Sequence, residues 1–262
     1  MKPLLQTQKR EERWETLDWL APAYYHSQQA DVQRHLDHES GKAFVEHERF
    51  KSWSQGSKVL KMLFCPGLPG AGKTSIASIV IDILHKTRKK QRSGVAFFYL
   101  SYNLRSQQTP MHMLRAILRQ LVETLPSIPH EIAELHYADG EPSLHKIFDI
   151  LAMVIKSYDL VFVVIDALDE CSPESLEELL DAVQRLQGLG ARFMLTTRFT
   201  NIVEKKLRDM DNCLSLEIRA TDRDMATYIT RNFDFSVFYQ LPDDSLEVDR
   251  FKEVVIGAAK GL

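Results

Sequence analysis

Residues 67–74 read GLPGAGKT and match the pattern G-x-x-x-x-G-K-[S/T]. Glycines in this pattern let the backbone curl, so that successive N–H groups point inward at a chain of phosphates. Lys73 would reach the β- and γ-phosphates, and the Thr74 hydroxyl would ligate Mg²⁺. The sequence therefore predicts a P-loop that binds ATP or ADP with Mg²⁺. The predicted nucleotide-binding residues are Gly67, Leu68, Pro69, Gly70, Ala71, Gly72, Lys73, Thr74 and Ser75.

A second group of polar residues follows the apolar run LVFVVI at 160–165. Asp166 is predicted to be the Walker B carboxylate, which holds Mg²⁺ through its water shell. Asp169 or Glu170 would orient or deprotonate an attacking water. The alternative is that these two acids only favour the N-terminus of the next helix, where negative charge is stabilising.

A third candidate ends the run FMLTTR at 193–198. If the strands are parallel, Arg198 lies at the same end of the sheet as the phosphates and approaches the γ-phosphate as a sensor. The alternative is a surface arginine at a strand end. The predicted catalytic residues are Lys73, Asp169, Glu170 and Arg198, and the predicted metal ligands are Thr74 and Asp166.

The elements that must position these residues alternate between strands and helices. Strands are predicted at 58–64, 95–102, 160–166, 191–198 and 213–218, and helices at 74–87, 111–125, 143–158 and 172–186. Such alternation predicts βαβ units, and hence an α/β fold with a mainly parallel five-stranded sheet flanked by helices. The predicted domains are a helical arm (1–57), the P-loop NTPase core (58–220) and the start of a helical lid (221–262).

Bulk composition bears on partners and location. The chain has 262 residues and a formal charge of −3, a balance that calls for neither nucleic acid nor an anionic membrane. The central apolar run at 160–165 is far shorter than the ~20 residues needed to span a bilayer. Cys65, Cys171 and Cys213 lie far apart, which fits reduced thiols. These features predict a cytoplasmic protein with no nucleic-acid partner and no membrane partner.

Four segments together resemble a known family. They are LFCPGLPGAGKTSIASIVID (63–82), VAFFYLSYNLRSQQTPMHMLRAILRQL (95–121), VFVVIDALDEC (161–171) and FMLTTRF (193–199). They look like the NACHT-type NTPase domain of fungal NOD-like proteins, which is also described as the nephrocystin-type N-terminal domain and belongs to the STAND class of signalling ATPases. The glycine-rich loop and the acidic cluster DALDE are the most specific marks.

The resemblance, which extends over roughly residues 14–262, implies an ATP-driven switch that is closed with ADP and open and oligomeric with ATP. It also implies other signalling proteins, of unknown identity, as partners. In the family, the lid continues into a winged-helix region and a repeat sensor. The sequence ends at Leu262, so we expect a truncated chain in which oligomerisation would need the missing C-terminal parts.

Two functions from different classes fit these features. The first is slow, Mg²⁺-dependent ATP hydrolysis in the service of a switch, and the second is a nucleotide-binding scaffold or adaptor with little or no hydrolysis. A small-molecule kinase is disfavoured because no arginine-rich lid follows residue 198. A GTPase is disfavoured because the sequence has no N-K-x-D motif to read the base.

Overall fold

The computed structural model describes residues 2–34, 36, 41–87, 92–138, 140–208, 212–232 and 244–260. The helices in these ranges are α1 (Lys2–Leu20), α2 (Tyr24–Arg34), α3 (Lys42–Glu46), α4 (Glu48–Ser54), α5 (Lys73–Thr87), α6 (Pro110–Glu123), α7 (His130–Tyr137), α8 (Leu144–Lys156), α9 (Pro173–Gly188), α10 (Asn201–Arg208), α11 (Asp222–Asn232) and α12 (Asp244–Lys260). The strands are β1 (Met62–Pro66), β2 (Ser93–Tyr99), β3 (Leu160–Asp166), β4 (Ala191–Thr197) and β5 (Cys213–Ser215), and short 3₁₀ helices lie at Tyr102–Leu104 and Leu168–Glu170. No helix in the ranges described is long and apolar enough to cross a membrane.

The five strands of the described chain form one parallel sheet in the order β2-β3-β4-β1-β5. The register places Tyr99 beside Asp166 and Pro66 beside Thr197. Because the strands are parallel, β1, β3 and β4 all end on the same side of the sheet. The predicted α/β fold with a parallel five-stranded sheet is therefore confirmed, and the residues that follow these strands are brought together.

Both faces of the sheet are buried, which explains the unbroken apolar run of β3. Val161, Val163 and Ile165 pack into a core that contains residues of α1 and α6–α9. Phe162 and Val164 pack into a second core that contains residues of α2–α5. Side chains along a strand alternate between its two faces, so a strand covered on both sides has no polar face to interrupt the run.

Element boundaries differ from the prediction in several places. β1 begins at Met62 rather than at residue 58, because ladder pairing to β4 and β5 starts only at that residue. β5 ends at Ser215 rather than at residue 218, although the Leu216 and Ile218 N–H groups still donate to carbonyls of β1 at 2.8 Å. Helix α7 was not predicted: with eight residues, it is too short for a clear helical period.

Strand β2 lies at an edge of the sheet, where two glutamines of α6 and its preceding loop bind the backbone. Gln120 accepts from Phe97 N–H at 3.0 Å and donates to Phe97 O at 2.8 Å. Gln108 accepts from Ser101 N–H at 2.8 Å and donates to Tyr99 O at 2.9 Å. Each side-chain amide thus supplies both the donor and the acceptor that a neighbouring strand would offer.

The N-terminal arm is attached to α6 through guanidinium groups that bind backbone carbonyls. Arg119, only 1% exposed, donates to Leu17 O at 2.6 Å, to Asp18 Oδ1 at 2.7 Å and to Ala21 O. Carbonyls at the end of a helix lack intrahelical partners and carry partial negative charge. A buried cation at the end of α1 therefore binds the Ala21 carbonyl and gives Leu17 O a second donor beside the Ala21 N–H at 3.2 Å.

We expect Arg119→Met to lower the free energy of unfolding by about 2–4 kcal/mol, because the carbonyls that it binds would lose their donor inside the protein. Chemical denaturation measures this change. Arg34→Met is the control, since Arg34 forms an exposed pair with Asp31 at 2.9 Å and its loss should change the free energy of unfolding by no more than about 0.5 kcal/mol. Equal changes in the two variants would contradict the structural role given to Arg119.

Candidate functional site

The loop between β1 and α5 is shaped by its glycines. The Gly67 N–H donates to Thr197 O at 3.0 Å, and a Cβ at this position would lie 2.6 Å from the Ile218 carbonyl oxygen. Gly70 and Gly72 have φ angles of 77° and 84°, a backbone region that L side chains rarely adopt. The loop therefore needs glycine at one position for packing and at two positions for conformation.

Helix α5 begins directly after this loop. The Ile76 N–H donates to Gly72 O at 2.9 Å, which closes the first turn. The N–H groups at the start of a helix have no intrahelical acceptor, and the helix dipole adds partial positive charge there. Thr74 and the half-buried Ser75 lie in this turn. The loop and the start of the helix thus offer backbone N–H groups and partial positive charge, which fit phosphate.

Lys73 folds over the same loop. Its ammonium group donates to Gly67 O at 3.0 Å and to Leu68 O at 2.8 Å. Burial lowers the pKa of Lys73, an effect that the nearby Asp169 carboxylate opposes. Both acceptors are neutral carbonyls, whereas a phosphate oxygen would offer a charge-assisted bond of roughly twice the strength. The lysine is therefore positioned to transfer its hydrogen bonds to a phosphate bound in the loop.

Asp166 ends β3 and is 2% exposed. Thr74 Oγ1 donates to its Oδ2 at 2.7 Å, and Thr196 Oγ1, at the end of β4, donates to its Oδ1 at 2.5 Å. Burial raises the pKa of Asp166, while the two hydroxyl groups and the Lys73 charge act in the opposite direction. The carboxylate thus joins the end of β3 to α5 on one side and to β4 on the other.

The adjacent oxygens of Thr74 and Asp166 suit Mg²⁺ better than a transition metal. Mg²⁺ prefers hard oxygen ligands and is commonly held by one or two protein groups, while waters and phosphates complete its shell. No group of three or more His, Cys, Asp or Glu side chains in the described part of the chain could hold a metal ion. The residues present fit a magnesium ion that is shared with a phosphate ligand.

A tight turn after β3 presents two further acids. Ala167 has φ 57°, an unusual value for a residue with a Cβ, and its N–H donates to Thr196 Oγ1 at 3.0 Å. The Glu170 N–H donates back to Ala167 O at 2.8 Å. Backbone strain of this kind persists only where surrounding contacts enforce it. Here it turns the chain from β3 into the short 3₁₀ helix Leu168–Glu170, which carries Asp169 and Glu170.

Asp169 and Glu170 have different partners. Asp169 accepts from the Arg198 backbone N–H at 2.8 Å through Oδ1 and pairs with Arg198 Nε at 3.1 Å through Oδ2. Its side chain is 10% exposed, whereas the Arg198 side chain is 55% exposed. Glu170 instead accepts the Tyr102 backbone N–H at 2.8 Å through one oxygen. Both oxygens of Asp169 are thus occupied by the arginine.

The structure brings the predicted P-loop, acidic residues and arginine to the carboxyl end of the sheet. Asp169 and Glu170 do not lie in the first turn of the following helix, because α9 starts at Pro173 and Ser172 caps it by accepting from Ser175 N–H at 3.2 Å.

The sequence analysis missed Thr196 as a partner of Asp166. A hydroxyl residue at the end of a strand that lies beside the Walker B strand could have indicated this contact. The order of the strands, which makes β3 and β4 neighbours, was not predicted.

Comparison with known families agrees with these features. The family model described as nephrocystin 3, N-terminal, matches residues 39–198, which is more than half of the chain and includes the loop, β3 and β4. The chain belongs to this nephrocystin 3 N-terminal family. The resemblance seen in the sequence is thereby confirmed at the level of the family. No curated protein matches the chain.

Two solved structures resemble the nephrocystin-type chain in fold. The ORC1 protein of Aeropyrum pernix, in complex with DNA, is 16% identical with a TM-score of 0.51, covering 81% of this chain and 51% of its own. A Walker-type ATPase of Pyrococcus abyssi is 11% identical with a TM-score of 0.44, covering 72% of this chain and 57% of its own. The chain therefore spans about half the length of these proteins. At this identity, the ORC1 match shows the fold alone, which agrees with the parallel five-stranded sheet of this chain.

The same comparison corrects the predicted partners. The prediction that nucleic acid is excluded is wrong, because the ORC1 protein with this fold was solved with DNA. Net charge describes a whole chain, whereas nucleic acid is bound by a local surface, so a formal charge of −3 does not exclude such a partner. The match concerns the fold and assigns no DNA site to this chain.

The raised pKa of Asp166 predicts a pH-dependent stability. A folded carboxyl that holds its proton more tightly than the unfolded one favours folding below the unfolded pKa of about 3.9, and this contribution is lost as the pH rises through the folded pKa. Asp166→Asn removes this titration. We therefore expect the variant to gain stability relative to wild type as the pH rises from about 4, and the difference to level off above the folded pKa.

Chemical denaturation at a series of pH values, with chelator and without nucleotide, measures this difference. Asp82→Asn, which removes a partly exposed carboxylate from α5, controls for the loss of one charge. A difference between Asp166→Asn and wild type that stays constant with pH would contradict the prediction.

Proposed function

We propose that the chain binds ATP or ADP with Mg²⁺ and hydrolyses ATP slowly. The contact that carries the proposal is the 2.7 Å hydrogen bond between Thr74 and Asp166, because it joins the end of the glycine-rich loop to the acidic end of β3. A neighbouring hydroxyl and carboxylate would suit Mg²⁺, because this ion prefers hard oxygen ligands. The P-loop ATPase fold and the family membership support the same function.

In this proposal each part of the loop has its own role. The N–H groups of residues 67–75 surround the phosphates, and Lys73 neutralises their outer charge. Thr74 and Asp166 hold Mg²⁺, which when bound neutralises charge that develops on the phosphate oxygens. Because Thr74 and Asp166 already contact each other, they need little rearrangement to hold the ion.

We assign the role of general base to Glu170 and a positioning role to Asp169. Glu170 is held through one carboxylate oxygen, which leaves the other free of the Tyr102 contact and able to accept a proton from water. Asp169 uses both oxygens on Arg198 and so orients that guanidinium. The exposed Arg198 side chain would then sense the γ-phosphate at the end of β4.

The purpose of such slow hydrolysis would be a nucleotide-controlled switch of the STAND kind, as the family resemblance suggests. We propose residues 58–220 as its NTPase core, 1–57 as its arm and 221–262 as the start of its lid. A scaffold that holds nucleotide without turnover is the alternative. Phosphate release at saturating ATP separates the two, since a scaffold would release no more phosphate than a protein-free control.

We expect Lys73→Ala to weaken ATP binding by about 10- to 100-fold while the fold is retained, because a charge-assisted bond to phosphate contributes roughly 1.5–3 kcal/mol. Titration with a fluorescent ATP analogue measures the affinity, and circular dichroism checks the fold. Lys86→Ala is the matched control on the same helix, since Lys86 is exposed and pairs with Asp82. Wild-type affinity in a folded Lys73→Ala variant would overturn the loop assignment.

Glu170→Gln should retain ATP binding but lower phosphate release by about 10²- to 10⁴-fold, because the amide cannot accept a proton. Glu174→Gln, four residues along the chain and at an exposed position, should leave the rate unchanged. Single-turnover assays would separate hydrolysis from product release. If wild type hydrolyses ATP and Glu170→Gln does so at the same rate, Glu170 is not the base.

A further inference from the structure

The segment from Ser101 to Gln108, which we call the β2–α6 loop, contacts the residue proposed as general base. The Tyr102 N–H donates to Glu170 Oε2 at 2.8 Å. Arg105 donates to the next carbonyl along the chain, Cys171 O, at 3.1 Å. The Arg105 guanidinium also stacks on the Tyr102 ring, 4.4 Å from its centre. The loop therefore holds Glu170 by its side chain and the following residue by its backbone.

Gln108 fixes the loop that makes these contacts. Its side chain is buried and lies at the C-terminal end of the loop, yet it binds Tyr99 O and Ser101 N–H at the beginning. A carbonyl and an N–H two residues apart are the groups that one residue of a parallel neighbouring strand would bind. Gln108 thus extends the ladder of β2 to Ser101, the residue directly before the Tyr102 N–H that binds Glu170.

Gln120 makes a comparable pair of bonds farther back along β2. It binds the N–H and the carbonyl of Phe97 and is also buried. Phe97 lies five residues before Tyr102, within the regular strand, where pairing to β3 already fixes the backbone. The two glutamines therefore satisfy the same kind of edge group, but only Gln108 is adjacent to the segment that contacts Glu170.

We propose that Gln108 is a positioning residue for ATP hydrolysis: it holds the β2–α6 loop so that the Tyr102 N–H orients the Glu170 carboxylate. This inference rests on the proposed function of Glu170 as general base. Without the Gln108 amide, the Tyr99 carbonyl and the Ser101 N–H lose this partner, and the N–H of Tyr102 is held less firmly in its direction. A base displaced by about 1 Å is a much poorer catalyst, even when the nucleotide remains bound.

Gln108→Leu, compared with Gln120→Leu, tests the proposal. Both variants remove a buried amide from the edge of β2, so both should lose stability to a similar extent in chemical denaturation. Gln108→Leu should lower the single-turnover rate of ATP hydrolysis by about tenfold or more with ATP affinity unchanged. Gln120→Leu should hydrolyse ATP within about twofold of wild type. Equal rates in the two variants would overturn the proposal.

A double variant distinguishes an effect of Gln108 on Glu170 from an effect on hydrolysis by any other route. If Gln108 acts through Glu170, Gln108→Leu should cause no further loss of rate in a Glu170→Gln background, because effects on one catalytic group are not additive. A full additional tenfold loss would show that Gln108 acts by another route and would contradict the inference. If Glu170→Gln alone leaves hydrolysis intact, the proposed role of Glu170 as general base fails first. If Glu170→Gln abolishes hydrolysis while Gln108→Leu hydrolyses ATP at the wild-type rate, only this inference fails.

Discussion

The site depends on how the buried carboxylate of Asp166 is held. It accepts hydroxyl groups from α5 and from β4, so that three segments distant in sequence meet at one side chain. A charged group in this position is unfavourable without such partners, because burial removes the water that would stabilise the charge. The two threonines therefore let a strand that is otherwise entirely apolar end in an acid.

The same constraint explains the geometry beyond β3. Thr196 accepts from the Ala167 N–H while it donates to Asp166, so one hydroxyl holds both the carboxylate and the turn that follows it. That turn sets the directions of Asp169 and Glu170, which have separate partners. Arg198 is fixed at the end of β4, and Glu170 is fixed against the end of β2. The catalytic roles proposed for these residues thus depend on the parallel sheet, which keeps the ends of β2, β3 and β4 next to one another.

Local patterns in the sequence were sufficient to predict the fold and most of the candidate site. The glycine loop, the apolar run before Asp166 and the apolar strand that leads to Arg198 each occupy a short segment, and each has a recognisable physical signature. The contacts of Thr196, Tyr102 and Gln108 could not be predicted in this way. They depend on which strands are neighbours and on a backbone N–H or a side-chain amide, and neither leaves a periodic pattern in the sequence. The different partners of Asp169 and Glu170 could not be predicted either, because the two acids are adjacent in the chain.

The glutamine side chains that cover the edge of β2 also bear on aggregation of the protein. Strand edges with free N–H and carbonyl groups are templates on which another chain can add a strand. Gln120 lies on α6, and Gln108 lies just before it. If α6 detached while the rest of the sheet stayed folded, both side chains would therefore leave the edge of β2 at the same time. Helix α6 is packed into the core and bound to the arm through Arg119, so both sets of contacts oppose its detachment. Packing of α6 therefore protects the edge of β2 from pairing with another chain as well as stabilising the core.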